Sequence, residues 1–233
     1  MSIEDFTRPD EDLLEVRSVG VSFYVIRASD ELFLIDTGFI GSVRRLNDEL
    51  SRRGWDALPI RGILLTHGHL DHILNAARFA RRDGAWIAAP RMDAEYYLGR
   101  SPGVRTKRPV DALEAIWRRV LQFESFLPDR WIDDGEAIAI WHGLRAVHLP
   151  GHTMGHTGYY CEALGLLFCG DLFASFGSLS HRPPDFFNAD SELARGSIER
   201  ALALNLRGAL PHHCVRASPR EHLEQLRRLG SRR

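Results

Sequence analysis

Short apolar runs alternate with stretches of helical period along most of the chain. Val19 to Val25 and Leu32 to Ile35 are β-rich runs, and Ala28-Ser29-Asp30-Glu31 between them reads as a hairpin turn. Ser42 to Arg53 places Val43, Leu46 and Leu50 on one helical face and stops at Gly54. Arg61 to Leu65 predicts a strand, and the apolar stripe from Ile73 to Ala80 predicts a helix ending near Asp83-Gly84. Ala85 to Ala89 predicts a buried strand closed by Pro90. The rhythm breaks over residues 91–130. There a short helical piece ends at Gly99, and a polar loop carries Arg100, Arg105, Lys107 and Arg108. An amphipathic helix follows with Leu113, Ile116, Trp117, Val120 and Leu121 on one stripe. Strands are expected around Asp133-Asp134-Gly135, from Ala137 to Trp141, from Leu144 to Leu149, at Tyr159-Tyr160-Cys161 and from Leu166 to Cys169. A helix from about Ser191 to Leu206 leads to the run Ala209-Leu210. The final helix opens on the capping box Ser218-Pro219-Arg220-Glu221 and buries Leu223, Leu226 and Leu229. No repeat or low-complexity linker divides the chain, so one domain is expected over 1–233, with 91–130 as a helical insertion.

The polar residues that interrupt this pattern fall at the ends of the apolar runs. Asp36, His67, His152, Asp171 and His213 each follow such a run, and most are flanked by Gly or Pro. Strands that end in metal-competent groups imply a shared sheet edge in a layered α/β arrangement. The densest cluster is Thr66-His67-Gly68-His69-Leu70-Asp71-His72. Residues two apart share a strand face, so His67 and His69 can converge on one point. Asp71 and His72 sit where the period changes to helical and can face a second point, which suggests two metal positions. Imidazole and carboxylate suit Zn, with Fe or Mn as alternatives, and the absence of thiolate argues against a purely structural zinc site. Asp36 reads either as a buried carboxylate with a partner or as an Asx-turn cap. Cys169 reads as a small buried hydrophobe rather than a ligand. The basic loop is either a solvated turn or part of a substrate wall.

Composition narrows the setting. Of 233 residues, 44% are hydrophobic and 26% charged, as in ordinary globular proteins. A net charge of -1 and a pI near 6.8 give no attraction to nucleic acid or anionic membrane. No apolar run reaches transmembrane length, and the acidic start Met1-Ser2-Ile3-Glu4-Asp5 lacks the order of a signal peptide. The three cysteines form no C-x-x-C pair, which fits a cytoplasmic setting. Partners beyond a small-molecule substrate are not indicated, and the oligomeric state is open.

T-H-x-H-x-D-H after a strand, with L-I-D-T-G upstream and P-G-H-T, C-G-D and P-x-H downstream in that order, resembles the metallo-β-lactamase fold superfamily of hydrolases over about residues 20 to 215. The resemblance implies an αβ/βα four-layer sandwich of two mixed sheets flanked by helices. It also implies a ligand set. His67, His69 and His152 would hold one divalent ion, Asp71, His72 and His213 a second, and Asp171 would bridge them. Asp36 would orient ligands from behind. His213 is the third residue of its motif, with His212 as the alternative, and His156 is structural support. The implied chemistry is hydrolytic: a metal-bridging hydroxide attacks an ester, thioester or lactone carbonyl, with Asp71 as proton acceptor. The branch resembled is that of glyoxalase II and the lactonases. A phosphodiesterase and a mononuclear-iron persulfide dioxygenase are the alternatives. Residues 91–130 and the loop from Phe176 to Phe187, with His181 and Arg182, are candidates for the substrate pocket.

Overall fold

The structure, a computed structural model, describes residues 11–100 and 109–231. Arg105, Lys107 and Arg108 of the basic loop, and residues 1–10 of the lead-in, lie outside the described residues. Among the described residues two compact units divide the chain: residues 15–132, and residues 133–231 with 11–14.

The first unit is built on a six-stranded sheet whose strands follow one another in sequence order. They are β1 (Leu13–Arg17), β2 (Ser22–Ala28), β3 (Glu31–Ile35), β4 (Ile60–Leu64), β5 (Trp86–Pro90) and β6 (Arg130–Ile132). β2 and β3 form the expected hairpin, with Tyr24 opposite Ile35, and Ser29 takes a positive φ of 56° at its turn. From β3 to β6 the neighbours are parallel, so the sheet is mixed. Parallel strands need covering on both faces, and β3 from Leu32 and β4 from Gly62 accordingly read as unbroken apolar runs. Helix α1 (Ser42–Arg53) buries Leu46 and Leu50 and ends at Gly54, whose φ of 68° lets its N–H reach Leu50 and Ser51 carbonyls.

Past β4 the helix expected over 73–80 is two pieces, α2 (Leu70–Ile73) and α3 (Ala76–Asp83). Asn75 causes the break. Its side-chain amide donates to the carbonyls of Thr37, Gly38 and Phe39, at 3.1 to 3.3 Å, and its backbone leaves the helical region at φ -105°, ψ 5°. After β5 come α4 (Ala94–Tyr97) and α5 (Pro109–Val120). The stripe on α5 is turned outward: Leu113 is 53% exposed, Ile116 59% and Val120 62%, whereas Arg118 is buried. Full burial of such an apolar side chain is worth about 1.5–3 kcal/mol, so specific bonds must hold the charged face in.

The second unit carries the other mixed sheet. Its strands are β7 (Ala137–Ile138), β8 (Leu144–His148), β9 (Thr157–Cys161), β10 (Leu166–Phe176), β11 (Leu179–His181) and β12 (Gly208–Cys214). They run in the order β11-β10-β9-β8-β7, with β12 pairing parallel to β10. The strand expected as far as Trp141 stops at Ile138, because Trp141 and Gly143 adopt positive φ in a turn closed by Gly143 N–H to Ile140 O. β10 extends beyond the expected end through Asp171, with shifts of register against β12 on either side of Gly170. Helices α6 (Ser191–Leu202) and α7 (Pro219–Gly230) pack through Ile198, Ala201, Leu223 and Leu226 onto Leu167, Cys169 and Ala209 of the sheet. α6 ends before the expected Leu206, as Leu204 N–H turns to the Ala201 carbonyl.

Candidate metal centre

In the first unit β3 and β4 deliver Asp36 and Thr66 side by side. Asp36 N–H continues the ladder to Leu64 O at 2.9 Å, but its φ of 61° turns the side chain out of the strand's alternation. The fully buried carboxylate then accepts from Thr66 N–H at 2.7 Å on Oδ1, and from Thr66 Oγ1–H at 2.6 Å and His72 Nδ1–H at 2.7 Å on Oδ2. Thr66 Oγ1 has spent its proton on Asp36, so it accepts from His67 Nδ1–H at 3.0 Å. Both imidazoles therefore carry the proton on Nδ1 and a lone pair on Nε2, the form a cation binds. Asp36, His67 and His72 can bring donor atoms within 4.8 Å of one another. With these bonds directed at Thr66 and His72, Asp36 acts as the anchor of this group. The rings of His67 and His69 stand edge to face at 4.9 Å, and Asp71, about one-third exposed, lies 3.8 Å from His72 Nε2.

In the second unit Asp171 on β10 gathers three histidines. Its Oδ2 is 3.3 Å from His152 Nε2 and 3.2 Å from His213 Nε2. Two donors each about 2.0 Å from one tetrahedral ion stand about 3.3 Å apart, so imidazole and carboxylate here have the spacing of neighbours in one coordination sphere. His156 is different. Its Nδ1–H donates to Leu149 O at 2.9 Å and its Nε2 accepts Asp171 N–H at 2.9 Å, so both nitrogens are committed to holding the backbone at Asp171. His212 is fully buried, its side chain alternating with that of His213 along β12. His181 and Arg182 are exposed. His181 pairs in register with Ala174 and stacks on Phe176 at 5.8 Å, and its Nδ1 lies 2.9 Å from the Arg182 carbonyl rather than turning toward Asp171.

Both histidine-bearing loops are held from behind by groups that hydrophobic pattern does not reveal. Gly151 O accepts Asp190 N–H at 2.8 Å, His152 O accepts Ala189 N–H at 3.0 Å, and Pro150 O accepts Ser197 Oγ–H at 2.7 Å. Asn188 Oδ1 lies 3.3 Å from His152 Nδ1, which favours the proton there. In the first unit, Gly68 N–H donates to the buried Asp93 at 2.9 Å, and Gly68 O accepts from Arg118 at 3.0 Å. Leu70 N–H donates to Glu114 at 3.1 Å. Burial pushes the Glu114 carboxyl above its ordinary value, against the pull of Arg118 beside it. Asp93, Glu114, Arg118 and Asn188 were not foreseen. The one local signal was the i,i+4 pair Glu114–Arg118, which ordinarily marks a solvated face. Cys169 is fully buried, its thiol pushed up to about 12 by desolvation, so it is inert as a nucleophile.

An α/β chain that gathers imidazoles and carboxylates beside its strands has the makings of a metalloenzyme. The chain belongs to the metallo-beta-lactamase superfamily, whose family model matches residues 16–213. It is 32% identical over 157 residues to a hydroxyacylglutathione hydrolase of Aeromonas hydrophila, covering 66% of this chain and 47% of that protein. It thus spans about half the length of that relative. It is 29% identical over 171 residues to the hydroxyacylglutathione hydrolase GloC of Haemophilus influenzae, covering 72% of each. A metallo-beta-lactamase family protein from Thermus thermophilus superposes with a TM-score of 0.68 at 22% identity, over 94% of this chain and 77% of that one, which shows the fold. Among the described residues no helix is long and apolar enough to cross a membrane.

Proposed function

We propose that this protein is a cytoplasmic metal-dependent hydrolase acting on the ester, thioester or lactone carbonyl of a small acyl substrate. The observation that carries the reading is the coupled orientation of donors: Asp36 and Thr66 fix the Nε2 lone pairs of His72 and His67, while Asp171 stands 3.2–3.3 Å from His152 and His213. Similarity to hydroxyacylglutathione hydrolases supports a thioester among the substrates. The family pattern assigns His67, His69 and His152 to one divalent cation, Asp71, His72 and His213 to a second, and Asp171 to both. Bound there, two zinc ions would supply Lewis acidity and make water available as a nucleophile near neutral pH.

The chain's own residues supply the rest. Asp71, adjoining His72 yet in part open to solvent, would take up at an Oδ atom the proton that water loses on becoming the nucleophile. His156 keeps Asp171 in place through its backbone N–H. Residues 91–130 act as a lid over the substrate, and His181 and Arg182 contribute to its pocket.

The test combines elemental analysis of purified protein with assays on a hydroxyacylglutathione thioester, an aryl ester and a γ-lactone. Two divalent ions per chain and chelator-sensitive hydrolysis restored by Zn²⁺ are expected. One iron per chain with oxygen consumption on a persulfide, and no hydrolysis, would replace this reading with a dioxygenase.

A further inference from the structure

Helix α5 lies with its charged face inward and its apolar stripe outward, the reverse of what hydrophobic burial alone favours. What holds it so is visible on the inner face. The Arg118 guanidinium, 5% exposed, donates to Tyr96 O at 2.8 Å, to Gly68 O at 3.0 Å and to Glu114 Oε1 at 2.6 Å. Its plane also lies over the Phe123 ring at 4.6 Å. The same Glu114 oxygen accepts Leu70 N–H, and Asp93 accepts Gly68 N–H from the other direction. Three charged side chains thus fasten the backbone of the segment His67-Gly68-His69-Leu70. The segment is also closed in sterically, since a Cβ on Gly68 would stand 2.4 Å from Tyr96 Cβ.

A buried cation needs both a counter-charge and acceptors for its N–H groups. A guanidinium satisfies two carbonyls and a carboxylate at once through its planar fork, which an ammonium cannot do. The carbonyls it meets belong to two different stretches, the histidine loop and the end of α4. Arg118 therefore ties the loop to the insertion 91–130, and the loop's backbone cannot shift without breaking charge-assisted bonds.

We propose that Arg118, supported by Glu114 and Asp93, is a positioning residue for the His67-Gly68-His69 loop. It holds the backbone so that both imidazoles are arranged before a cation arrives, and α5 thereby sets the loop's affinity for metal. This inference rests on the metal-binding reading above.

The experiment uses metal-free full-length protein and Zn²⁺ as probe, with affinity measured by competition against a chromogenic chelator. Hydrogen exchange over residues 66–73 is followed in the absence of metal. Arg118→Met should weaken Zn²⁺ binding about tenfold or more and speed exchange at Gly68 and Leu70, with helix content unchanged. Arg118→Lys, able to reach one carbonyl but not the whole set, should recover part of both losses. A folded Arg118→Met protein with Zn²⁺ affinity within about twofold of the parent, the size of effect expected of an ordinary surface change, overturns the proposal, even if its melting temperature falls. Should Arg118→Met not fold, Glu114→Gln keeps shape and an acceptor for Leu70 while removing the counter-charge. Weaker Zn²⁺ binding and faster exchange in that variant support the proposal, and parental values for both overturn it. If the parent protein itself binds no Zn²⁺, the functional reading fails and this inference with it. If the parent binds and the variants bind equally well, this inference alone fails.

Discussion

Asp36 Oδ2 lies 2.7 Å from His72 Nδ1, and both side chains are sealed from solvent. The carboxylate meets donors on both oxygens, and an amide in its place offers one acceptor oxygen and turns an N–H₂ toward the others. Asp36→Asn should leave the backbone intact, because Asn tolerates the positive φ of 61° found here. It should cost about 1–3 kcal/mol for the donor left unmatched and weaken metal affinity about 10–100-fold through His67 and His72. Denaturation and Zn²⁺ competition on the same preparation separate the two effects.

Gly151 has φ 129°, and a Cβ there would stand 2.1 Å from Ala194 N. That obstacle is helix backbone, which cannot rotate away. Gly151→Ala should destabilise the protein by roughly 3 kcal/mol through overpacking and backbone strain and displace His152. Urea denaturation reads the first, and loss of metal stoichiometry in the folded fraction reads the second.

Neighbours on β12 should part in phenotype. His213→Ala removes the imidazole 3.2 Å from Asp171 and is expected to abolish hydrolysis while sparing most of the stability. His212→Ala empties a fully buried position and should cost on the order of 2 kcal/mol while activity per folded molecule persists. The opposite pairing of outcomes would show that His212 carries the ligand role.

At the start of α7, Ser218 N–H donates to Glu221 Oε2 at 2.6 Å, and the Ser218 backbone and hydroxyl together hold the Glu221 carboxyl below its ordinary value. The folded state thus binds this proton less readily than the unfolded chain. Its contribution to stability is present above the unfolded value of about 4.5 and is lost as pH falls through the lower folded one. Glu221→Gln should flatten that part of the stability–pH curve in the acid range and leave its shape unchanged near neutrality. The effect should shrink in high salt, as befits an exposed group. Thermal melts from pH 3 to 7, roughly the span from carboxylate titration to neutrality, measure it.

Much of this was written locally. The 3.6-residue period placed α1 and α7, which bury one face, and short apolar runs placed β3, β4 and β10, which are buried at successive positions. The candidates Asp36, His67, His69, Asp71, His72, His152, Asp171 and His213 stood out as polar groups at the ends of apolar runs, and the structure brings Asp36 beside His72, and His152 and His213 beside Asp171. What the sequence could not decide is where a residue's bonds lie across space. Asn75 breaks a helix because three carbonyls of a distant loop meet its amide. Arg118 and Glu114 turn α5 over because the Gly68 carbonyl and the Leu70 N–H stand within their reach and take a donor from one and an acceptor from the other. Hydrophobic periodicity records the average preference of a face for water. It carries no information about a particular backbone group brought close by the rest of the fold, and that proximity set the helix orientation and the support behind the histidines.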